Sequence, residues 1–553
     1  LKKDFANIAL IAVIWFILIL IVNPVGEFTH EDDFAYARPV KTLAETGNMH
    51  LTDWSSMTLV GHIWIGWLVS SIFGFSFTAL RIIELFFSFI GLLGIYFLAK
   101  EFFRSRLKQF AAVLLLAVSP QFFFYGFVFM TDITFFAFFV WSIYFFIRFL
   151  KYENKVNYII AILLAIYTLL IRELALVLPI AFLFAGFYKY GIKTKKLFLL
   201  ILPLIILLIE YFAYRYWLVN IHLLTKNMDF ARDRMFGMLF EPLLLIKTVT
   251  KNFVFASMYL GLYLAPVAIP SIFIILKSKS KRTRRIIFGI GSLMTAASLL
   301  LILFSWKVFS IVQFVLTMHH LTFWYVLPDV HNAAIHTDIV FPRLIYAILG
   351  AIAVAGALSI WINLIARLYE KYKNGKLLSM DRQRGTREFF VMVFLFYFAL
   401  IMTQIFFPRY QIQTVGILAI ILLMTKGFEF TVNKLALAFT GILLFFFAYS
   451  SVSATHDMME YGRVRAQALN YLNNKLKIPP AKIDGGFEYN SWHFFDWDYK
   501  PKGKNRWWVQ DDEYVVVWSR INKNYKLIKE YEYVRYIPLC TKGKVYIYKR
   551  IEK

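Results

Sequence analysis

Apolar runs of about 20 residues, the length a helix needs to cross a hydrocarbon layer of roughly 30 Å, recur along this chain from Phe5 to about Val452. A backbone in lipid must satisfy its own N–H and C=O groups, so such runs have to be helices. The composition agrees: of 553 residues, 60% are hydrophobic and 19% aromatic, too apolar for a soluble protein of this size. The sequence therefore predicts an α-helical integral membrane protein.

Lysine and arginine mark every second gap between the runs. Residues 100–108, 148–155, 189–196, 277–285, 367–387 and 426–434 hold most of the membrane region's basic side chains, which by the positive-inside rule face the cytoplasm. The alternate gaps, residues 26–61, 128–131, 172–173, 219–247, 307–343 and 407–413, then face out. Counting gives about thirteen spans in the cell membrane, the first a retained signal anchor and the C-terminus outside. The net charge of +26 is explained by these loops, and no nucleic-acid partner is expected. The single cysteine, Cys540, excludes an intramolecular disulfide and a cysteine-based metal site.

After Val452 the pattern changes. Apolar residues keep helical spacing over 456–476, and strand-like runs follow at 514–518 and 545–548, separated by Gly, Asn and Lys. This divides the chain into a membrane module, 1–452, with its first outer loop at 25–61, and a small extracytoplasmic α/β domain, 453–553. The domain's basic character suits a neighbour carrying phosphate, and equally a solvated surface near anionic lipid.

Unusual polar residues collect in the outer gaps. His30-Glu31-Asp32-Asp33 places three carboxylates directly after the first span, where they must be hydrated, paired with cations or used as a base. A short helix along the membrane surface is expected to follow. Thr131-Asp132 precedes an apolar run, so Asp132 either caps that helix or meets the acidic loop, and the two are compatible. Arg172-Glu173 reads as a turn-stabilising pair or as part of a site. Arg409-Tyr410, in Phe407-Pro408-Arg409-Tyr410, offers a planar fork suited to phosphate oxygens, or a snorkelling arginine in the aromatic belt. His30 with Asp32 could hold a divalent ion, and His30 reads equally as a plain loop residue. Walker, HExxH and GxSxG motifs are absent. A base to deprotonate an acceptor hydroxyl, with cations for a phosphate leaving group, suits sugar transfer from a lipid-linked donor.

In Asp32-Asp33-Phe34-Ala35-Tyr36-Ala37, Phe73-Gly74-Phe75-Ser76 with Leu80-Arg81, Phe129-Met130-Thr131-Asp132, Arg172 and Arg409-Tyr410, the chain resembles the GT-C membrane glycosyltransferases. The branch is that of the protein O-mannosyltransferases and the lipid A aminoarabinose transferase. The resemblance implies a polyprenyl-phosphate sugar donor and a first-loop acid as general base, hence Asp32, with Asp33 beside it. It matches Asp132 to the family's second-loop acid and makes Arg172 and Arg409, with Tyr410, candidates to hold the donor phosphate. The chain departs from the pattern in having Asp-Asp where the family has Asp-Glu. It also reads Met57-Thr58-Leu59-Val60-Gly61-His62 where the lipid A branch carries Lys-Pro-Pro, and Pro408 where an acid stands. The expected function is inverting transfer to a lipid, glycan or protein hydroxyl on the outer face. The alternatives are a transporter or flippase of a lipid-linked or anionic substrate, and a glycan polymerase or ligase. A transporter would place its charges near the bilayer midplane.

Overall fold

The computed structural model describes residues 2–191, 195–220, 224–277, 280–305, 307, 343–373, 385–425, 434–500, 507–521, 524–537 and 541–551. Cys540 and parts of the expected gaps at 307–343, 367–387 and 426–434 lie outside these residues.

The helices of the first part are α1 (Lys2–Val22), α2 (Asp33–Thr46), α3 (Val60–Phe73), α4 (Phe77–Phe102), α5 (Arg106–Ala117), α6 (Pro120–Tyr125), α7 (Thr131–Tyr152), α8 (Lys155–Leu169) and α9 (Val177–Tyr190). They are followed by α10 (Leu197–Asn220), α11 (Lys226–Phe240), α12 (Pro242–Lys277), α13 (Lys281–Phe304), α14 (Arg343–Lys373), α15 (Gly385–Met402), α16 (Ile412–Leu423) and α17 (Lys434–Asn470). Among the described residues ten helices are long and apolar enough to cross a membrane, and three more, Val60–Phe73, Lys155–Leu169 and Pro408–Leu423, are apolar but shorter. Large apolar side chains such as Leu293 and Phe304 stand exposed, as lipid-facing positions of a membrane bundle do.

Small residues let the helices approach closely. Gly91 and Gly94 of α4 lie against Phe136 and Val140 of α7, leaving no room for a Cβ at either position. Gly261 of α12 faces the backbone of Ala353 and Ala357 on α14, and Gly356 faces Gly261 in return. The α4–α7 contact matters most for the site, because it fixes the start of α7, where Asp132 lies.

Helix α2 follows the acidic loop, as expected, and ends at Gly47 in the left-handed region, φ 72°. The last membrane helix does not stop near Val452. Helix α17 runs unbroken for 37 residues, so the helical spacing over 456–476 is largely the far end of this same helix. It meets a four-stranded mixed sheet of β1 (Ile483–Asp484), β2 (Tyr514–Val517), β3 (Tyr525–Arg535) and β4 (Thr541–Arg550), in the order β1-β2-β4-β3. Strand β1 pairs parallel with β2, and the other pairs are antiparallel. Side-chain alternation along β4 separates two cores: Val545 and Ile547 pack with Val464 and Ala468 of α17 and with Leu472 just beyond its end, while Tyr546 and Tyr548 pack with Val515 and Val517. A short helix, α18 (Phe487–Phe494), turns the chain back onto α2.

Candidate active site

The loop between α1 and α2 has no secondary structure of its own, yet its carbonyl groups are taken up by three arginines. Arg81 of α4 donates to the carbonyls of Gly26 and Phe28. Arg463 of α17 donates to those of Asn23 at 2.7 Å and Val25 at 3.1 Å, and Arg465 to that of Thr29 at 3.3 Å. Glu27 caps α4 from outside the helix, accepting from Ser76 Oγ at 2.7 Å and Phe77 N at 2.8 Å. Burial opposes its charge, but the donors of Ser76, Thr78 and Phe77 together hold Glu27 below the usual carboxylate range. The clamped loop delivers Glu31 with φ 51°, a left-handed conformation that costs a non-glycine residue about 1–3 kcal/mol and is tolerated where the surroundings enforce it.

The next residue, Asp32, is the centre of the arrangement. Arg409 Nη1 lies 3.3 Å from Asp32 Oδ2, and Trp54 Nε1 donates to Asp32 Oδ1 at 3.0 Å. Arg409 also lies 4.0 Å from Glu31, which accepts from the Tyr125 hydroxyl at 2.9 Å. Burial pushes the Asp32 carboxyl up, the positive charge of Arg409 pulls it back, and Glu31 adds to the rise. The side chain keeps 20% of its exposure, so another molecule can reach it.

Asp132 closes the other side. Its Oδ2 lies 2.8 Å from Arg172 Nη2 and 3.8 Å from Arg409 Nε, and its side chain has no exposure. The position preceding α7 is Met130, which makes no side-chain cap, so the capping reading of Asp132 does not hold. The carboxylate binds the two guanidiniums instead, because two cations in a buried site outbid a backbone N–H. Arg172 also donates to Thr131 Oγ1 at 2.9 and 2.7 Å. It does not pair with Glu173. Arg409 keeps only 8% side-chain exposure, which rules out snorkelling to headgroups. Tyr410 lies beneath both cations, 5.5 Å from the Arg172 guanidinium and 5.9 Å from that of Arg409.

The structure thus brings Asp32, Asp132, Arg172, Arg409 and Tyr410 together. Asp33 and His30 stand apart. Asp33 Oδ1 accepts from the His30 backbone N–H at 2.8 Å, which stiffens the turn, and burial raises its carboxyl well above the ordinary range. The His30 ring packs between Phe28 and Phe124. Among the described residues no group of three His, Cys, Asp or Glu side chains is placed to hold a metal ion. Asp32 and Asp132, the acids best placed to ligate one, each face a guanidinium.

Several contributors escape a reading of motifs. Tyr125 is hidden in the run Phe122-Phe123-Phe124-Tyr125, and Arg463 and Arg465 act on backbone carbonyls, which any sequence would present. Arg81, by contrast, is part of the quoted Leu80-Arg81 motif, and the loop clamp is its physical reason.

One end of the bundle thus carries an exposed-edged carboxylate and two buried guanidiniums fixed by a second carboxylate. Among solved structures, a similar chain is ArnT from Cupriavidus metallidurans bound to undecaprenyl phosphate, at 13% identity and TM-score 0.40, covering 87% of this chain and 82% of that one. Another is the oligosaccharyltransferase AglB from Archaeoglobus fulgidus, in complex with an inhibitory peptide and a dolichol-phosphate, at 13% identity and TM-score 0.32, covering 85% and 58%. No curated protein matches. Residues 60–215, which include Asp132 and Arg172, match the family model of the dolichyl-phosphate-mannose-protein mannosyltransferases.

Proposed function

We propose that the protein transfers a sugar, with inversion, from a polyprenyl-phosphate donor to an acceptor hydroxyl on the extracytoplasmic face of the membrane. Asp32 is the general base. It takes the acceptor proton as the acceptor oxygen bonds to the anomeric carbon, and the bond from that carbon to the phosphate oxygen breaks on the opposite side. The lipid phosphate leaves with the electron pair, its charge met by Arg409 and Arg172. Asp132 holds the two arginines in register, and Tyr410 supports them from below.

One observation carries this reading: Arg409 lies between Asp32, at 3.3 Å, and Asp132, at 3.8 Å, while its Nε makes no hydrogen bond among the described residues. A buried guanidinium with a donor to spare beside a reachable carboxylate suits a phosphate oxygen next to an acceptor hydroxyl. The basic gaps support the orientation by the positive-inside rule, and the three shorter apolar helices added to the ten long ones support thirteen spans. In this reading residues 1–452 are the catalytic membrane module and 453–553 an extracytoplasmic domain that borders the acceptor side.

The test is transfer from synthetic polyprenyl-phosphate sugars by the purified protein in nanodiscs, with the anomeric configuration of the product read by NMR. Asp32→Asn is expected to keep fold and donor binding and to lower transfer by about 10²–10⁴-fold. Parent-rate turnover by that variant removes Asp32 from the role, and a retained anomeric configuration removes the single displacement.

A further inference from the structure

The indole of Trp54 is shared between the acidic loop and the C-terminal unit. Its N–H donates to Asp32 Oδ1 at 3.0 Å. Its ring lies 6.1 Å from Phe487, 5.9 Å from Phe495, 6.3 Å from Trp497 and 5.8 Å from Trp508, measured between centroids. All four rings belong to the segment after α17. Trp508 is itself anchored, its Nε1 donating to the Asp496 carbonyl at 2.6 Å. Phe34, two residues after Asp32, packs on the same group, 5.7 Å from both Phe487 and Phe495. Edge-to-face and tilted pairs of this kind each add about 0.5–1.5 kcal/mol beyond the area they bury, so the set holds the indole firmly.

The groups facing Asp32 are Arg409, Glu31, Tyr36 and Trp54. Among the described residues its side-chain oxygens accept hydrogen bonds from two of them, Trp54 on Oδ1 and Arg409 on Oδ2. Arg409 is shared with Asp132 and has a phosphate to meet. Trp54 has no second polar duty at its N–H, and its hydrogen bond favours the charged carboxylate, as any N–H donor does.

We infer that Trp54 is a positioning residue for the base: its N–H sets the direction in which the Asp32 carboxylate faces, and the aromatic rings of the C-terminal unit hold the indole in place. This rests on the reading of Asp32 as the base. The C-terminal unit is then a structural part of the catalytic centre, reaching Asp32 through one hydrogen bond.

The experiment is an infrared pH titration of the full chain in nanodiscs, which needs no sugar donor. The band of protonated Asp32 is identified by its absence from Asp32→Asn. Trp54→Phe keeps most ring contacts and removes the N–H, and is expected to raise the proton affinity of Asp32 roughly tenfold, the worth of one hydrogen bond to a charged group. Phe495→Leu, which loosens the indole from the other side, is expected to move it in the same direction by less. Trp141→Phe removes an indole N–H that donates to the Ile90 carbonyl within the bundle, and is expected to leave the Asp32 titration where it is. An unmoved midpoint in Trp54→Phe, or an equal movement in Trp141→Phe, overturns the inference. Should Trp54→Phe fail to assemble, Phe495→Leu decides alone: an unmoved midpoint there overturns it too. The rate of Asp32→Asn in sugar transfer bears only on the base reading, so the two failures are distinguishable.

Discussion

Asp32 and Arg409, 377 positions apart in the chain, meet at 3.3 Å between Oδ2 and Nη1. The pair joins the first loop to a helix start near the end of the membrane module. It places the proposed base beside the group proposed to receive a phosphate. Replacing Arg409 by Lys keeps the charge but loses the planar fork and its spare Nε donor. Transfer by Arg409→Lys is expected to fall by about 10²–10³-fold in kcat, the usual cost of one lost transition-state donor. Steady-state kinetics across a donor titration check this, and a fall confined to KM would show that Arg409 binds without acting on the leaving group.

The Asp132–Arg172 pair is buried on both sides, with side-chain exposures of 0% and 3%. Removing one partner strands the other, at a cost of about 3–5 kcal/mol. Asp132→Asn should therefore lower the thermal midpoint in detergent, and Asp132→Asn combined with Arg172→Gln should recover part of the loss. Equal melting of the single and double variants would mean that the pair is not a buried charge couple.

Transfer should show an acid limb at a pH above the usual value of an aspartate. As the proposed base Asp32 has to be deprotonated, and burial raises its pKa despite the opposing pull of Arg409, so activity is expected to be lost as the pH falls through that raised value. Arg409→Gln removes the opposing cation, and in its residual activity the limb should move to still higher pH. A rate–pH profile measures both, and a limb that moved down on losing Arg409 would contradict the assignment.

Gly261 and Gly356 let α12 and α14 touch backbone to backbone. A methyl group on Gly261 would meet the carbonyl of Ala353 and the amide of Ala357, neither of which can rotate aside. Gly261→Ala is expected to destabilise by at least about 1–3 kcal/mol, the range for an overpacked core. Chemical unfolding in mixed micelles measures it.

The site was partly legible before any coordinates because charge is rare in apolar runs and its placement at their ends is conspicuous. Asp32, Asp132, Arg172 and Arg409 all carry that signature. Their partners did not follow. The capping reading of Asp132 used only local sequence, whereas its carboxylate answers to Arg172, 40 positions on, and to Arg409. Asp33 was placed beside Asp32 as the second acid of the site, yet one residue's rotation around the turn sends it to the His30 backbone instead. Helix α17 looked like two elements because its composition changes at the membrane boundary while its backbone does not. The clamp by Arg81, Arg463 and Arg465 falls on carbonyl groups, which carry no side-chain signal.

The 37 residues of α17 extend about 55 Å at 1.5 Å per residue, well beyond a hydrocarbon layer of roughly 30 Å. The surplus packs against the C-terminal sheet and bears Arg463 and Arg465, so a tilt of the apolar half is geared directly to the carbonyls ahead of Glu31. Bilayer thickness then becomes a variable of catalysis: thinner or thicker vesicles should alter turnover through this shaft, with no change to any side chain.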